Sequence, residues 1–145
     1  VMGNIIFFNA LEGELEFDRT VDFKSAMQQK SIGMGVGAKL LLSDTKDILG
    51  MLFSVNMKYK EAVVLSYSVI LTFMVKDWST EVKGKSDDEI KKLPGVDEML
   101  DMAVGFLRGS MYVHTKNSPL EGLTIPVLSI PELKKNLKVE KPTQK

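Results

Sequence analysis

The chain contains no cysteine, one tryptophan and one histidine in 145 residues. The absence of cysteine excludes thiol catalysis, Cys-based zinc sites and a disulfide framework, and it fits a reducing cytoplasm. A single histidine, His114, leaves no His pair for a metal and no Cys–His couple, while a Ser–His–acid arrangement stays formally open. No cofactor, no metal and no catalytic residue is expected. Charge of one sign is also lacking: 19 Lys+Arg stand against 19 Asp+Glu, which speaks against a nucleic-acid partner or an anionic membrane surface. No apolar run reaches the ~18 residues of a membrane span. The best candidate, AVVLSYSVILTFMVKDW at 62–78, is bracketed by Lys58, Lys60, Lys76 and Asp77 and carries serines at its centre. The start VMGNIIFFNA lacks the basic opening and small-residue cleavage site of a signal peptide, so a cytoplasmic location is expected.

What the chain has in abundance is alternation. In the 62–78 stretch, Val63, Leu65, Tyr67, Val69, Leu71, Phe73 and Val75 form an unbroken apolar file, the period-two signature of a strand with one face in a core. In IIFFNALEGELEF, Ile5, Phe7, Leu11, Leu15 and Phe17 are expected to face inward, with Glu12, Glu14 and Glu16 turned to solvent. After a polar connection, SIGMGVGAKLLL sets Ile32, Met34, Val36, Ala38, Leu40 and Leu42 against Gly33, Gly35 and Gly37. A DTKD turn at 44–47 leads to GMLFSVNMKY, where Met51, Phe53, Val55, Met57 and Tyr59 alternate with polar residues. Short connections between successive strands predict an antiparallel meander of four strands.

Past Trp78 the period changes. STEVKGK reads as a polar linker, and Ser86-Asp87-Asp88-Glu89 fits a capping box that opens a short helix ended by Pro94. From Val96, the residues Met99, Leu100, Ala103, Phe106, Leu107, Met111 and His114 recur at three- and four-residue steps, predicting a long amphipathic helix over about 96–115. Its acids Asp97, Glu98 and Asp101 come first and Arg108, His114 and Lys116 later, as the helix dipole favours. Three prolines make NSPLEGLTIPVLSIPEL extended, and Pro131 opens a last short helix, PELKKNL. The expected fold class is therefore α+β: a four-stranded antiparallel sheet, a long helix packed on it and a short C-terminal helix. It forms one domain over 1–137, followed by a disordered tail at 138–145.

This order of parts resembles the bacterial export chaperone SecB and its relatives over roughly residues 4–137. The most specific local match is LTIPVLSIPEL, 123–133, which is similar to the family's Leu-rich approach to a Pro-Val pair and the Leu of its last helix. Arg108-Gly109 echoes a further family pairing. The chain departs from the family at Leu128, where a polar residue often follows Pro-Val, and in being neutral where well-studied members are acidic. The resemblance implies an ATP-independent chaperone that holds unfolded polypeptides in long grooves of a homotetramer, a dimer of dimers with helices sandwiched between sheets. Its partners would be the unfolded client and the SecA translocation motor, in general export or for a dedicated client such as an antitoxin.

Independently of the family, the even positions of the long strand mix apolar and small polar groups, so the second sheet face is neither core nor plain solvent surface. Val64, Ile70 and Met74 there, backed by Ile6 and Phe8, are the candidate peptide contacts. Ile5, Ile6, Phe7 and Phe8 are apolar on both faces of one strand, which calls for a partner subunit. Nine methionines suit promiscuous contact, although Met34, Met51, Met57, Met99 and Met111 fall on core faces. The glycine spacing at 33, 35 and 37 lies inside a strand pattern and so does not open a nucleotide site; it fits helix packing or a bulged strand better than a ligand strip. Glu12, Glu14 and Glu16 read as an edge-strand defence, and His114 as a surface or interface residue. The competing function is a small-molecule or lipid binder in which the sheet grips the long helix around a closed cavity.

Overall fold

The computed structural model describes residues 5–43, 47–78, 82–93, 95–123, 125 and 128–141. Among these, six strands and four helices follow one another: β1 Ile5–Glu12, β2 Glu16–Phe17, α1 Phe23–Gln28, β3 Ile32–Leu42, β4 Ile48–Tyr59, β5 Ala62–Val75, α2 Asp87–Lys91, α3 Val96–Thr115, α4 Ile130–Lys135 and β6 Lys138–Glu140. The DTKD turn falls partly, and the Pro126-Val127 pair wholly, outside the described residues.

The three long strands β3, β4 and β5 form the expected antiparallel run. The sheet as a whole is larger than four strands and is not a meander. Its order is β1-β5-β4-β3-β6, with β2 also beside β5. The first strand skips its sequence neighbour and lies against the last long one, a Greek-key arrangement that buries the strongest apolar strand in the sheet interior. β6 runs parallel to β3 and makes the sheet mixed. The disordered tail expected from 138 is thus corrected for Lys138–Glu140, which find β3's unpaired backbone groups, while Lys141 reaches Asp87 at 3.3 Å. Residues 142–145 lie outside the described residues.

The odd file of β5 is the core face. Leu65, Tyr67, Val69, Leu71 and Phe73 are buried and stand opposite Met57, Val55, Phe53, Met51 and Leu49 of β4, and the buried Val75 stands opposite Ile5 of β1. α3 covers this face with Val96, Met99, Leu100, Ala103, Val104, Leu107 and Met111. Each large apolar side chain so enclosed contributes about 1.5–3 kcal/mol relative to exposure. α4 adds Leu133 to the same cluster and is tied to α3 by Lys134 and Asp97 at 3.0 Å. The capping box of α2 forms as read, Ser86 Oγ accepting from Glu89 N and Glu89 Oε1 from Ser86 N, both at 3.2 Å.

Two bulges interrupt the alternation. On β1, Phe7 pairs with Phe73 and Asn9 with Thr72, leaving Phe8 as an extra residue. On β5, Leu65 pairs with Met57 and Val63 with Lys58, leaving Val64 as the extra residue. An extra residue reverses the face of everything beyond it. α1, which the sequence reading took for a polar connection, is opened by Asp22, whose carboxylate accepts from Ser25 N at 3.1 Å, and it buries Phe23 and Ala26. Between β1 and β2, Gly13 donates its N–H to Ser68 O at 2.8 Å; a Cβ there would stand 2.7 Å from Ser68 Oγ, so only glycine lets the chain pass this close.

Candidate functional site

The face of the sheet turned away from α3 carries the second set of side chains. Because directly opposed residues point the same way, the register gives its rows: Ile6–Met74–Ile48, then Asn9–Thr72–Gly50–Leu41, then Leu11–Ile70–Leu52–Lys39. Farther along the strands the rows turn small and polar: Ser68–Ser54–Gly37, then Ser66–Asn56–Gly35. One half of this outer face is therefore apolar and the other hydroxyl- and amide-lined. Ile6, Phe8, Leu11 and Met74 are exposed on the apolar half, and Ile48, Leu52 and Ile70 are half-buried beside them.

Of the five residues singled out from the sequence, the pairing brings Ile6 and Met74 face to face and sets Ile70 nearby, with Phe8 at the β1 bulge. Val64 does not join them. It is 5% exposed and belongs to the core, while Val63, expected inside, is 56% exposed. The β5 bulge exchanges the two. The β1 bulge does the same to Leu11, which moves to the outer face at 58% exposure, and to Glu12, which turns towards α3. Leu11 is the exposed apolar residue of this face that the sequence reading missed, since strict alternation places it in the core.

A second feature lies at the far side of the sheet. β6 pairs only with Lys39, Leu40 and Leu41, so β3 from 32 to 38 carries no further strand among the described residues. Two hollows open along it. One of about 150 Å³ lies towards α4 and is lined by Val36, Gly37, Ala38, Leu128, Ser129, Glu132, Leu133 and Asn136. The other, about 350 Å³, opens on the outer face between Val36, Gly37, Ala38, Lys39, Leu52, Ser54, Asn136 and Lys138. The row Leu11–Ile70–Leu52 crosses the sheet to this second hollow. A further hollow of about 250 Å³ separates α1 from the turn at 119–123, with Phe23, Met27, Pro119, Leu120 and Leu123 among its walls.

The turned Glu12 builds a polar knot against α3. Ser110 Oγ donates to Glu12 Oε1 at 3.1 Å, and His114 Nε2 lies 2.7 Å from Glu12 Oε2. The His114 and Ser110 hydrogen bonds hold the Glu12 carboxyl below the usual glutamate range. The Tyr67 ring meets that of His114 edge-on at 6.1 Å, and burial pushes the phenol up. A serine, the single histidine and an acid do come together, but the carboxylate stands between the other two. Ser110 gives its proton to the acid and not to the imidazole, which is the geometry of a tie between strand and helix; an activated nucleophile must hydrogen-bond its base. Among the described residues no group of three or more acidic or histidine side chains is placed to hold a metal. No helix among them is long and apolar enough to cross a membrane.

No family model and no curated protein matches the chain. The architecture does match solved structures. The Mycobacterium tuberculosis Rv1957 SecB-like chaperone, in complex with a ChAD peptide from the Rv1956 HigA1 antitoxin, superposes with a TM-score of 0.58 over 88% of this chain and 89% of that one, at 11% identity. The chain has a SecB-like fold. A protein of unknown function from Streptococcus agalactiae is similar more loosely, with a TM-score of 0.39 and 12% identity over 85% of this chain and 97% of that one, and bears no weight here. Here the long helix covers one face of the sheet, and β1 lies at its edge beside β5.

Proposed function

We propose that this chain is a non-enzymatic, ATP-independent chaperone that holds unfolded or partly folded polypeptide, in export or for a dedicated client such as an antitoxin. The observation that carries this reading is the apolar half of the outer face, where Ile6, Leu11 and Met74 stand exposed on a sheet whose other face is already filled by α3. Side chains of this kind, interrupted by Asn9, Thr72 and Gly50, accept many apolar sequences without demanding one shape. The free edge of β3 offers main-chain hydrogen bonds to an extended client, and the hollows beside it offer room for alternate side chains. The peptide held by the SecB-like fold neighbour supports the same assignment.

ATP plays no part, since the sequence has no Gly-x-x-x-x-Gly-Lys loop to cradle its phosphates. The working form is a cytoplasmic homo-oligomer, dimer or tetramer, and a translocation motor is a candidate partner for client release. The test is the double substitution Ile70→Glu and Met74→Glu. Suppression of aggregation of a chemically unfolded client, measured by light scattering without nucleotide, should be abolished while far-UV circular dichroism and melting temperature stay near wild type. Intact holding by the variant moves the binding surface elsewhere. If the wild type holds no client, the chaperone reading falls and a fluorescent fatty-acid titration of the helix-grip alternative becomes the next measurement.

A further inference from the structure

The methionines among the described residues divide sharply by burial. Met51, Met57, Met99 and Met111 are sealed in the core, Met34 and Met102 are half-buried, and Met27 and Met74 stand 41% and 47% exposed. Those two exposed thioethers both lie beside other apolar side chains at the surface. Met74 sits between Ile6 and Ile48 in the outer-face row, and Met27 walls the hollow between α1 and the 119–123 turn. With no cysteine in the sequence, these are, among the described residues, the soft sulfur atoms that an oxidant from solvent meets first.

We propose that Met74 is an oxidation site through which peroxide releases the held polypeptide, an inference that rests on the chaperone reading above. A sulfur lone pair attacks one oxygen of hydrogen peroxide; the S–O bond forms as the O–O bond breaks. The sulfur is oxidised by two electrons, and the second peroxide oxygen leaves as water after proton transfer. The product replaces a pliable apolar group by a strongly polar one. On Met74 that change falls at the centre of the Ile6–Met74–Ile48 row; the core methionines, closed to solvent, keep the fold intact. Sulfoxide reductases reverse the step, so the surface can be restored without resynthesis.

The experiment treats the full chain with a graded series of hydrogen peroxide concentrations, maps sulfoxides by peptide mass spectrometry and assays client holding on the same samples. Met27 and Met74 should oxidise at least tenfold faster than Met51, Met57, Met99 and Met111. Holding should fall in step with the Met74 sulfoxide, with far-UV circular dichroism unchanged. The double variant Met27→Leu, Met74→Leu should hold client equally before and after treatment. Undiminished holding by wild type carrying both sulfoxides overturns the proposal, as does equal peroxide sensitivity of the double variant, or core methionines oxidising in step with the exposed ones. An untreated wild type that holds nothing sinks the chaperone reading itself and this release mechanism with it, which separates the two failures.

Discussion

Glu12 on β1 and His114 on α3, 102 residues apart in sequence, meet at 2.7 Å and tie the edge strand to the end of the covering helix. The contact exists because the bulge at Phe8 turns Glu12 from the outer face to the helix face. A carboxyl held below its usual range favours folding when ionised. Its contribution is present above the ordinary glutamate value near pH 4.3 and is lost as pH falls through the lower folded value. Glu12→Gln should therefore lower the urea midpoint at pH 6, and the gap to wild type should close in strong acid. An equal gap at both ends of the pH series would show that the charge on Glu12 is irrelevant.

Val63 and Val64 give the most direct test of the β5 bulge. Strict alternation makes Val63 a core residue and Val64 a surface one; the structure reverses them. Val64→Asp places an unpaired charge in the core and should cost roughly 3 kcal/mol or more. Val63→Asp stands opposite Lys58 on the outer face and should change stability by no more than about 0.5 kcal/mol. The reverse ranking in urea denaturation would place the bulge elsewhere.

The β4–β5 hairpin turns through Lys60 and Glu61, both in the left-handed region at φ 51° and 66°. Two-residue hairpins of this handedness prefer Asn-Gly, since side chains with a Cβ lose roughly 1–2 kcal/mol per residue in that region. Lys60→Asn with Glu61→Gly should thus stabilise the protein by about 1 kcal/mol after glycine's added chain entropy is subtracted. No upward shift in melting temperature would mean that the Lys60-Glu61 turn holds no strain for substitution to relieve.

The strand positions, the long helix and the capping box of α2 were legible because each is written in local spacing: two residues for β5's file, three and four for α3, Ser86 to Glu89 for the cap. What escaped is what depends on a partner strand. Whether Phe8 or Val64 is an extra residue is decided by the register against β5 and β4, so Leu11 and Glu12 exchanged faces without any local signal. The Greek-key order escaped for a similar reason, as β1's own pattern is satisfied beside any apolar strand. β6 has three residues and borrows its order from β3's free backbone. α1 carried one usable clue, Asp22 three residues before Ser25. Four of the five candidate contacts, Ile6, Phe8, Ile70 and Met74, sit on or beside the outer face because no bulge separates Ile70 from Met74 on β5 and the β1 break falls just beyond Ile6.

Phe8 lies at the free margin of the sheet, since β1 ends the strand order and has β5 on one side alone. Its ring is exposed beside that of Phe7, an apolar group larger than a lone subunit gains by displaying. A second copy presenting the same edge would cover it in a two-fold, self-complementary contact. Phe8→Asp puts a charge at the centre of that contact on both subunits at once, where two like charges repel. Being the unpaired residue of the bulge, Phe8 can change without breaking the pairing of β1 with β5, so far-UV circular dichroism should stay as it is. Sedimentation velocity should show the variant shifted from dimer or tetramer towards monomer; a sedimentation coefficient identical to wild type would remove β1's edge from the assembly.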